Sequence, residues 1–167
     1  MSEINSIVDL STAVYLNEHR TRVLLGTYDS QLNFPDQHFN VTANANSFLT
    51  QIIKFMYSGY MGYPGNDLDG LFNFVLSLNM RNVMRSSTRK MLVYFTSAGI
   101  GDDSSFQDLL PLVYHLRAVG VEIFPIAYGK KANIVQAKKI SPRCARWVET
   151  PWDLDDTIKY LLSNLCS

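Results

Sequence analysis

The segment KMLVYFTSAGIGDD, from Lys90 to Asp103, decides the fold of this chain. Its apolar run, Met91–Phe95, leads directly into the small and polar residues Thr96-Ser97-Ala98-Gly99. A continuous apolar run is typical of a parallel strand that is buried on both faces of its sheet. In an α/β sheet, the residues beyond the carboxyl end of such a strand lie on the ligand-binding side. The segment therefore predicts a buried strand whose following loop faces a ligand.

The rest of the chain alternates between the apolar periods of helices and of strands. The predicted helices are 3–17, 47–57, 67–79, 107–119, 132–140 and 153–165, and the predicted strands are 21–30, 91–96, 121–129 and 145–149. Segment 32–42 has a turn at Pro35-Asp36, and we expect its far side to pair back as an antiparallel edge strand.

This alternation predicts a doubly wound α/β fold, with a mostly parallel sheet, helices on both faces and one antiparallel edge strand. The loops 28–31, 62–67, 96–103 and 128–131 are expected to meet beyond the carboxyl ends of the strands. Pro125 is unusual in an inner strand because proline removes a ladder donor. We expect it to lie where the short strand 145–149 leaves that side unpaired.

Composition and charge exclude several classes of protein. The 167 residues are 47% hydrophobic and 18% charged, with 15 basic and 15 acidic side chains and a net charge of zero. Binding to nucleic acid through the overall charge of the protein is therefore not expected. No apolar run approaches the roughly 18 residues of a membrane-spanning helix, so membrane insertion is not expected either.

The order of the segments resembles a von Willebrand factor A domain. The likeness is carried by TRVLLGTYDS (21–30), GNDLDGLF (65–72), RKMLVYFTSAG (89–99), LRAVGVEIFPIAYG (116–129) and ISPRCARWVETPWDLDDTIKYL (140–161). The last two are similar to modules that accompany C-type lectin domains in secreted invertebrate proteins. The family's first strand and its metal motif are absent at the start of this chain. We therefore expect a single domain over 1–167 that is truncated relative to the family, either because the neighbouring strands pair directly or because the chain is a fragment.

The resemblance implies a binding module that holds a divalent metal through Asp-x-Ser-x-Ser, a Thr and an Asp. Here Asn66 stands where the Thr is expected and Ser97 stands where the Asp is expected. Neither side chain supplies the charge that offsets the dehydration of Mg²⁺. We therefore expect a degenerate metal site and no cofactor. The expected partner-binding positions share the ligand-facing loops, and they are Asp29, Ser30, Asn66, Asp67, Ser97, Gly99 and Asp102.

Helix-start chemistry offers another reading of the acidic segments. Asn66 is a suitable N-cap, with Asp67 and Asp69 in the first helical turn behind it. Asp153 is the corresponding cap of the closing helix. The basic stretch from Lys130 to Arg146 contains no acid, and it is either a solvated helix with its flanks or a patch for an anionic partner.

The two cysteines and one sequon bear on the compartment. From Cys144, the last strand advances ~20 Å, and the closing helix returns ~20 Å to Cys166. We therefore predict a Cys144–Cys166 disulfide, which is typical of an oxidising compartment. Asn40-Val41-Thr42 is a sequon that predicts glycosylation at Asn40. Together these features favour an extracellular protein, although no secretory signal is visible in this chain.

The sequence thus predicts a non-enzymatic adhesion module that binds a protein or a glycan, with an anionic partner among the options. The alternatives are a nucleotide-binding or enzymatic doubly wound domain, and a truncated product without independent function. A nucleotide-binding domain would need a glycine loop after the first strand, and no such loop is found. No nucleophile has a recognisable base, so we expect no catalytic residue.

Overall fold

A computed structural model describes residues 22–24, 26–28, 32–34, 45–54, 67–97, 103–150 and 152–163. The chain divides into two compact units, Met1–Leu71 and Phe72–Ser167. The helix predicted at 3–17 and the turn predicted at Pro35-Asp36 lie outside the described residues. The prediction of one domain over 1–167 stays a prediction.

The described elements of the first unit are a short hairpin and a helix. Strands β1 (Thr27–Tyr28) and β2 (Leu32–Asn33) pair antiparallel, with Thr27 opposite Asn33. The described antiparallel partner of β1 is therefore the segment just before Pro35, and the segment after the predicted turn lies outside the described residues. A Cβ on Gly26 would collide with the ring of Phe34, so a side chain is excluded at this close approach.

Helix α1 (Ala45–Lys54) follows the hairpin. Phe48, Gln51 and Ile52 are buried on one face of this helix, whereas Ile53 is 53% exposed.

The second unit is built on a parallel three-stranded sheet. Strands β3 (Lys90–Thr96), β4 (Val121–Tyr128) and β5 (Arg146–Val148) lie in the order β3-β4-β5. Helices α2 (Leu68–Met80), α3 (Asp103–Ala118), α4 (Ile134–Ile140) and α5 (Trp152–Ser163) complete the described elements, and α2 crosses from one unit into the other.

Helices cover both faces of this sheet. On one face, Phe124 and Ile126 of β4 form a buried cluster with Val148 of β5 and Leu161 of α5. On the other face, Ala127 packs with Ala137 of α4 and with Ala145, and the small side chains let the helix approach the strands closely. The α/β class, the parallel sheet and the helices on both faces are therefore confirmed.

Pro125 lies in the middle strand and is buried. It stands opposite Tyr94 of β3, whereas the β4–β5 ladder begins one residue later, at Ile126 opposite Arg146. On the β5 side, Pro125 therefore lies just before the paired segment. This confirms the expected position, because proline is tolerated where no ladder donor is required.

Candidate functional site

The carboxyl ends of the three parallel strands lie at one edge of the sheet of the second unit, where the sequence predicts ligand contact. The strands are in step there, since Thr96 of β3 stands opposite Ala127 of β4, which stands opposite Trp147 of β5. Thr96 is buried, and Ser97, the next residue, is exposed. The sequence correctly placed Ser97 directly after a strand, and among the described strands this strand, β3, is the first in the order β3-β4-β5 and not an inner one.

The turn after β4 is held by its backbone. Gly129 has a positive φ of 82°, a conformation that favours glycine. Its N–H donates to the carbonyl of Val148 at 2.8 Å, which extends the contact between the ends of β4 and β5. Its carbonyl accepts from the N–H of Ala132 at 3.3 Å and from the indole Nε1 of Trp147 at 3.3 Å. These three hydrogen bonds hold the turn that carries the exposed Lys130 and Lys131.

Helix α4 begins directly after this turn. The Asn133 side chain accepts hydrogen bonds from the N–H groups of Val135 at 3.1 Å and Gln136 at 3.2 Å, and it therefore caps the helix. This cap was not predicted from the sequence. An asparagine three residues before the buried pair Gln136 and Ala137 was the available signal.

Asp67 begins helix α2. Its Oδ1 accepts from the N–H of Gly70 at 2.8 Å, which is the hydrogen bond of an N-cap. The cap predicted from the sequence was one residue earlier, at Asn66, which lies outside the described residues. Because the helix begins at Leu68, the residue before it, Asp67, is the cap. One carboxylate oxygen of Asp67 therefore serves as the N-cap acceptor of α2.

Asp153 also has a helix-start role, in a different position from the expected one. Its Oδ2 accepts from the backbone N–H and from the hydroxyl of Thr150, each at 2.9 Å. The carboxylate lies in the first turn and reaches back three residues, as in a capping box. The hydrogen bonds from the Thr150 backbone and hydroxyl lower the pKa of Asp153 below its ordinary value.

Several predicted site residues lie outside the described residues. These are Asp29, Ser30, Asn40, Asn66, Gly99, Asp102 and Cys166. Among the residues that the structure does describe, no three His, Cys, Asp or Glu side chains cluster in a way that could hold a metal ion. No described helix is long and apolar enough to cross a membrane.

Cys144 is fully buried in the cluster that Phe124 and Leu161 share. No cysteine in the described part of the chain carries a free thiol. Because Cys166 falls outside that part, the Cys144–Cys166 pairing stays a prediction.

The basic stretch divides between the two faces of the sheet. The Arg146 guanidinium lies 3.5 Å from the ring centre of Tyr160, whose hydroxyl donates to the Arg143 carbonyl at 3.0 Å. Trp147, between Arg146 and Val148, points to the opposite face and is 51% exposed. Trp147 was not among the partner-binding residues predicted from the sequence. The alternation of side chains along the strand nevertheless indicates that Trp147 lies on the face opposite to that of Arg146 and Val148.

Comparisons with known proteins agree with this architecture. Residues 2–149 match the family model of the von Willebrand factor type A domain. The crystal structure of manganese-loaded TRAP protein from Plasmodium vivax is similar, with a TM-score of 0.77 and 12% identity, over 98% of this chain and 66% of that one. Proximal thread matrix protein 1 from the mussel byssus has a TM-score of 0.75 and 15% identity, over 99% of this chain and 40% of that one. No curated protein sequence matches the chain.

Proposed function

Because the chain belongs to the von Willebrand factor type A domain family, whose modules typically serve in adhesion and protein binding, we propose that it is a non-enzymatic recognition module that binds without a divalent metal. The partner is a protein or a glycan that contacts the loops beyond the carboxyl ends of the strands. The loop positions in this proposal are those predicted from the sequence: Asp29, Ser30, Asn66, Asp67, Ser97, Gly99 and Asp102.

The observation that carries this proposal is the exposed hydroxyl of Ser97 directly after β3. Mg²⁺ dehydrates reluctantly, and protein sites compensate with carboxylate oxygens in octahedral geometry. The resemblance implies a carboxylate at the position of Ser97, and a neutral hydroxyl does not supply that charge. The metal-ligand set of the family is therefore incomplete at this position, and partner contact has to come from the loops themselves.

We also propose that the protein functions outside the cell. The Cys144–Cys166 disulfide and the sequon at Asn40 both favour an oxidising, secretory route. The similarity to a protein of the mussel byssus supports the same compartment.

The test of metal independence is a thermal unfolding experiment with Mg²⁺ or Mn²⁺ against EDTA. We expect an unchanged Tm, because a metal that does not bind the native state cannot stabilise it. A metal present at about ten times its Kd would add about 1.4 kcal/mol of stability, which is readily measured. A clear rise in the wild-type chain that disappears in Ser97→Ala would refute the proposal. A rise that is retained in Ser97→Ala comes from a site elsewhere.

The enzymatic alternative is tested on the same instrument with nucleotides and phosphorylated metabolites. We expect no ligand in this screen to raise the Tm. A reproducible rise with any of them would favour a nucleotide-binding or enzymatic domain over a recognition module.

A further inference from the structure

Trp147 is an exposed aromatic residue whose position is fixed. The side chain is 51% exposed, yet its indole N–H donates to the Gly129 carbonyl. The same carbonyl accepts from the N–H of Ala132, so the indole is tied to the turn that leads into α4. With the N–H engaged inside the protein, the exposed part of the ring offers apolar surface to a partner.

A second exposed apolar side chain lies on the element that follows this turn. Trp147 shares a face of the sheet with Ala127, and α4 covers that face through Ala137. Val135, in the first turn of α4, is 62% exposed. Trp147 and Val135 are therefore two exposed apolar residues on the strand and the helix that adjoin this turn.

Basic side chains lie on the same turn and helix. The turn contributes the exposed Lys130 and Lys131, and the outer side of α4 contributes Lys138 and Lys139 at helical spacing from Val135. No acidic residue occurs between Gly129 and Val148, and the exposed Glu149 is the first acid after them. The turn and α4 therefore carry net positive charge in a chain whose net charge is zero.

We propose that Trp147, Val135, Lys130, Lys131 and Lys138 form a docking surface, the Trp147 surface, for an acidic segment of a partner protein. An apolar centre with a charged rim is the usual anatomy of a protein interface, and tryptophan is enriched among residues that dominate binding energy. Charge complementarity selects an acidic partner and accelerates its association. The proposal rests on the proposed function in that the chain binds a protein, and it adds a surface that needs neither a metal nor Ser97.

A sulfated glycan or a nucleic acid would match the lysines but not the apolar centre. Binding through charge alone leaves Trp147 and Val135 without a complement. A segment that carries both acidic and apolar side chains covers the whole surface. The structure therefore favours a protein partner over a simple polyanion.

The test uses a fluorescently labelled synthetic peptide in which Asp and Glu alternate with Leu and Phe. A matched peptide carries Asn and Gln in place of the acids, and fluorescence anisotropy reports binding to the full chain. We expect the acidic peptide to bind, and Trp147→Ala and Lys131→Glu each to weaken binding about tenfold. Binding should also weaken as the salt concentration rises from about 50 mM to about 200 mM.

The controls change the same chemistry elsewhere in the second unit. Tyr114→Ala removes another exposed aromatic side chain, and Arg81→Glu makes the same charge reversal on an exposed residue after α2. Both are expected to bind the peptide like wild type. Circular dichroism establishes whether each variant is folded. If Trp147→Ala fails to fold, the binding of the peptide to Lys131→Glu still tests the proposal.

Four outcomes of the binding experiments overturn the proposal. They are no binding of the acidic peptide, equal binding of the neutral peptide, equal loss in the control variants, and binding of a heparin oligosaccharide without binding of the peptide. Self-association that Trp147→Ala abolishes would also overturn it, since the occupant would then be a second copy. The metal titration is a separate readout, so failure of the Trp147 surface and failure of the proposed function are distinguishable.

Discussion

The guanidinium of Arg89 holds the carboxylate of Glu122 at two points, with Nε 2.7 Å from Oε1 and Nη2 2.8 Å from Oε2. Arg89 immediately precedes β3, and Glu122 is the second residue of β4. The guanidinium also lies 5.9 Å from the ring centre of Phe124. The hydrogen bonds that Arg89 donates to Glu122 raise the pKa of the guanidinium above its ordinary value. It joins the two strands at the edge opposite the ligand-facing loops.

This ion pair should contribute measurably to stability despite its partial exposure. Its two-point geometry places it near the upper end of what surface pairs contribute, about 1 kcal/mol. We expect the double-mutant cycle of Arg89→Ala and Glu122→Ala to give a coupling energy of this size from urea unfolding. The coupling should fall as salt is added, because the pair is screened. A coupling energy of zero at low salt would contradict this assignment.

Asp153 predicts a particular dependence of stability on pH. Its pKa is lowered in the folded protein from an ordinary value of 3.8 by the hydrogen bonds from Thr150. The stabilisation is therefore present above that ordinary value, and it is lost as pH falls through the lower folded pKa. We expect Asp153→Asn to lower the Tm near neutral pH and to converge with wild type near about pH 2.

The control for Asp153 is Asp108→Asn, which makes the same charge change at an exposed position of α3. It removes one carboxylate charge without removing the hydrogen bonds from Thr150, and the Tm change of Asp153→Asn is compared with it at each pH. A constant difference between Asp153→Asn and wild type across the acid range would mean that the charge of Asp153 contributes nothing.

The Asp67 cap should matter for the start of α2. Asp67→Ala removes the acceptor of the Gly70 N–H, and loss of such a cap costs about 1 kcal/mol. Asp67→Asn keeps a side-chain oxygen at the same place and should retain most of the stability. Urea unfolding of both variants measures the difference. Equal losses in the two variants would show that the charge, and not the capping hydrogen bond, is what counts.

Strands β3 and β4 could be predicted because each is a continuous apolar run in the sequence. The expected strands 91–96 and 121–129 became Lys90–Thr96 and Val121–Tyr128. Strand β4 is buried along most of its length, whereas β3, which was expected to be buried, is mostly half-buried. The start of α3 was placed four residues late, at 107 instead of Asp103. Its opening residues are polar, and the buried apolar period begins only at Phe106.

Contacts between distant residues could not be predicted in the same way. The pairing of Arg89 with Glu122 spans 33 positions and depends on the register of β3 and β4. Ser97 was placed correctly because its position follows from the end of one strand. Trp147 was not predicted to contact a partner. That role depends on the face of the sheet on which it lies and on the turn whose Gly129 carbonyl accepts from its indole.

The predicted Cys144–Cys166 disulfide has consequences for the reactivity of the thiols and for the stability of the protein on reduction. The unfolded, unreduced protein should show no reactive thiol, and the reduced protein should show two, the number of cysteines in the chain. A crosslink that closes a loop of about 20 residues stabilises a protein by about 3 kcal/mol, mainly by restricting the unfolded chain. Reduction should therefore lower the unfolding free energy by about this amount.

The matched control for the disulfide is Cys166→Ser, whose remaining cysteine cannot pair within the chain. This variant should lose about the same stability as reduced wild type, and added reductant should change it no further, because the crosslink is already gone. Cys144→Ser should lose more, since it also places a hydroxyl in the buried cluster around Phe124 and Val148. Two reactive thiols in unreduced protein from an oxidising compartment would contradict the pairing and remove its support for an extracellular site of action.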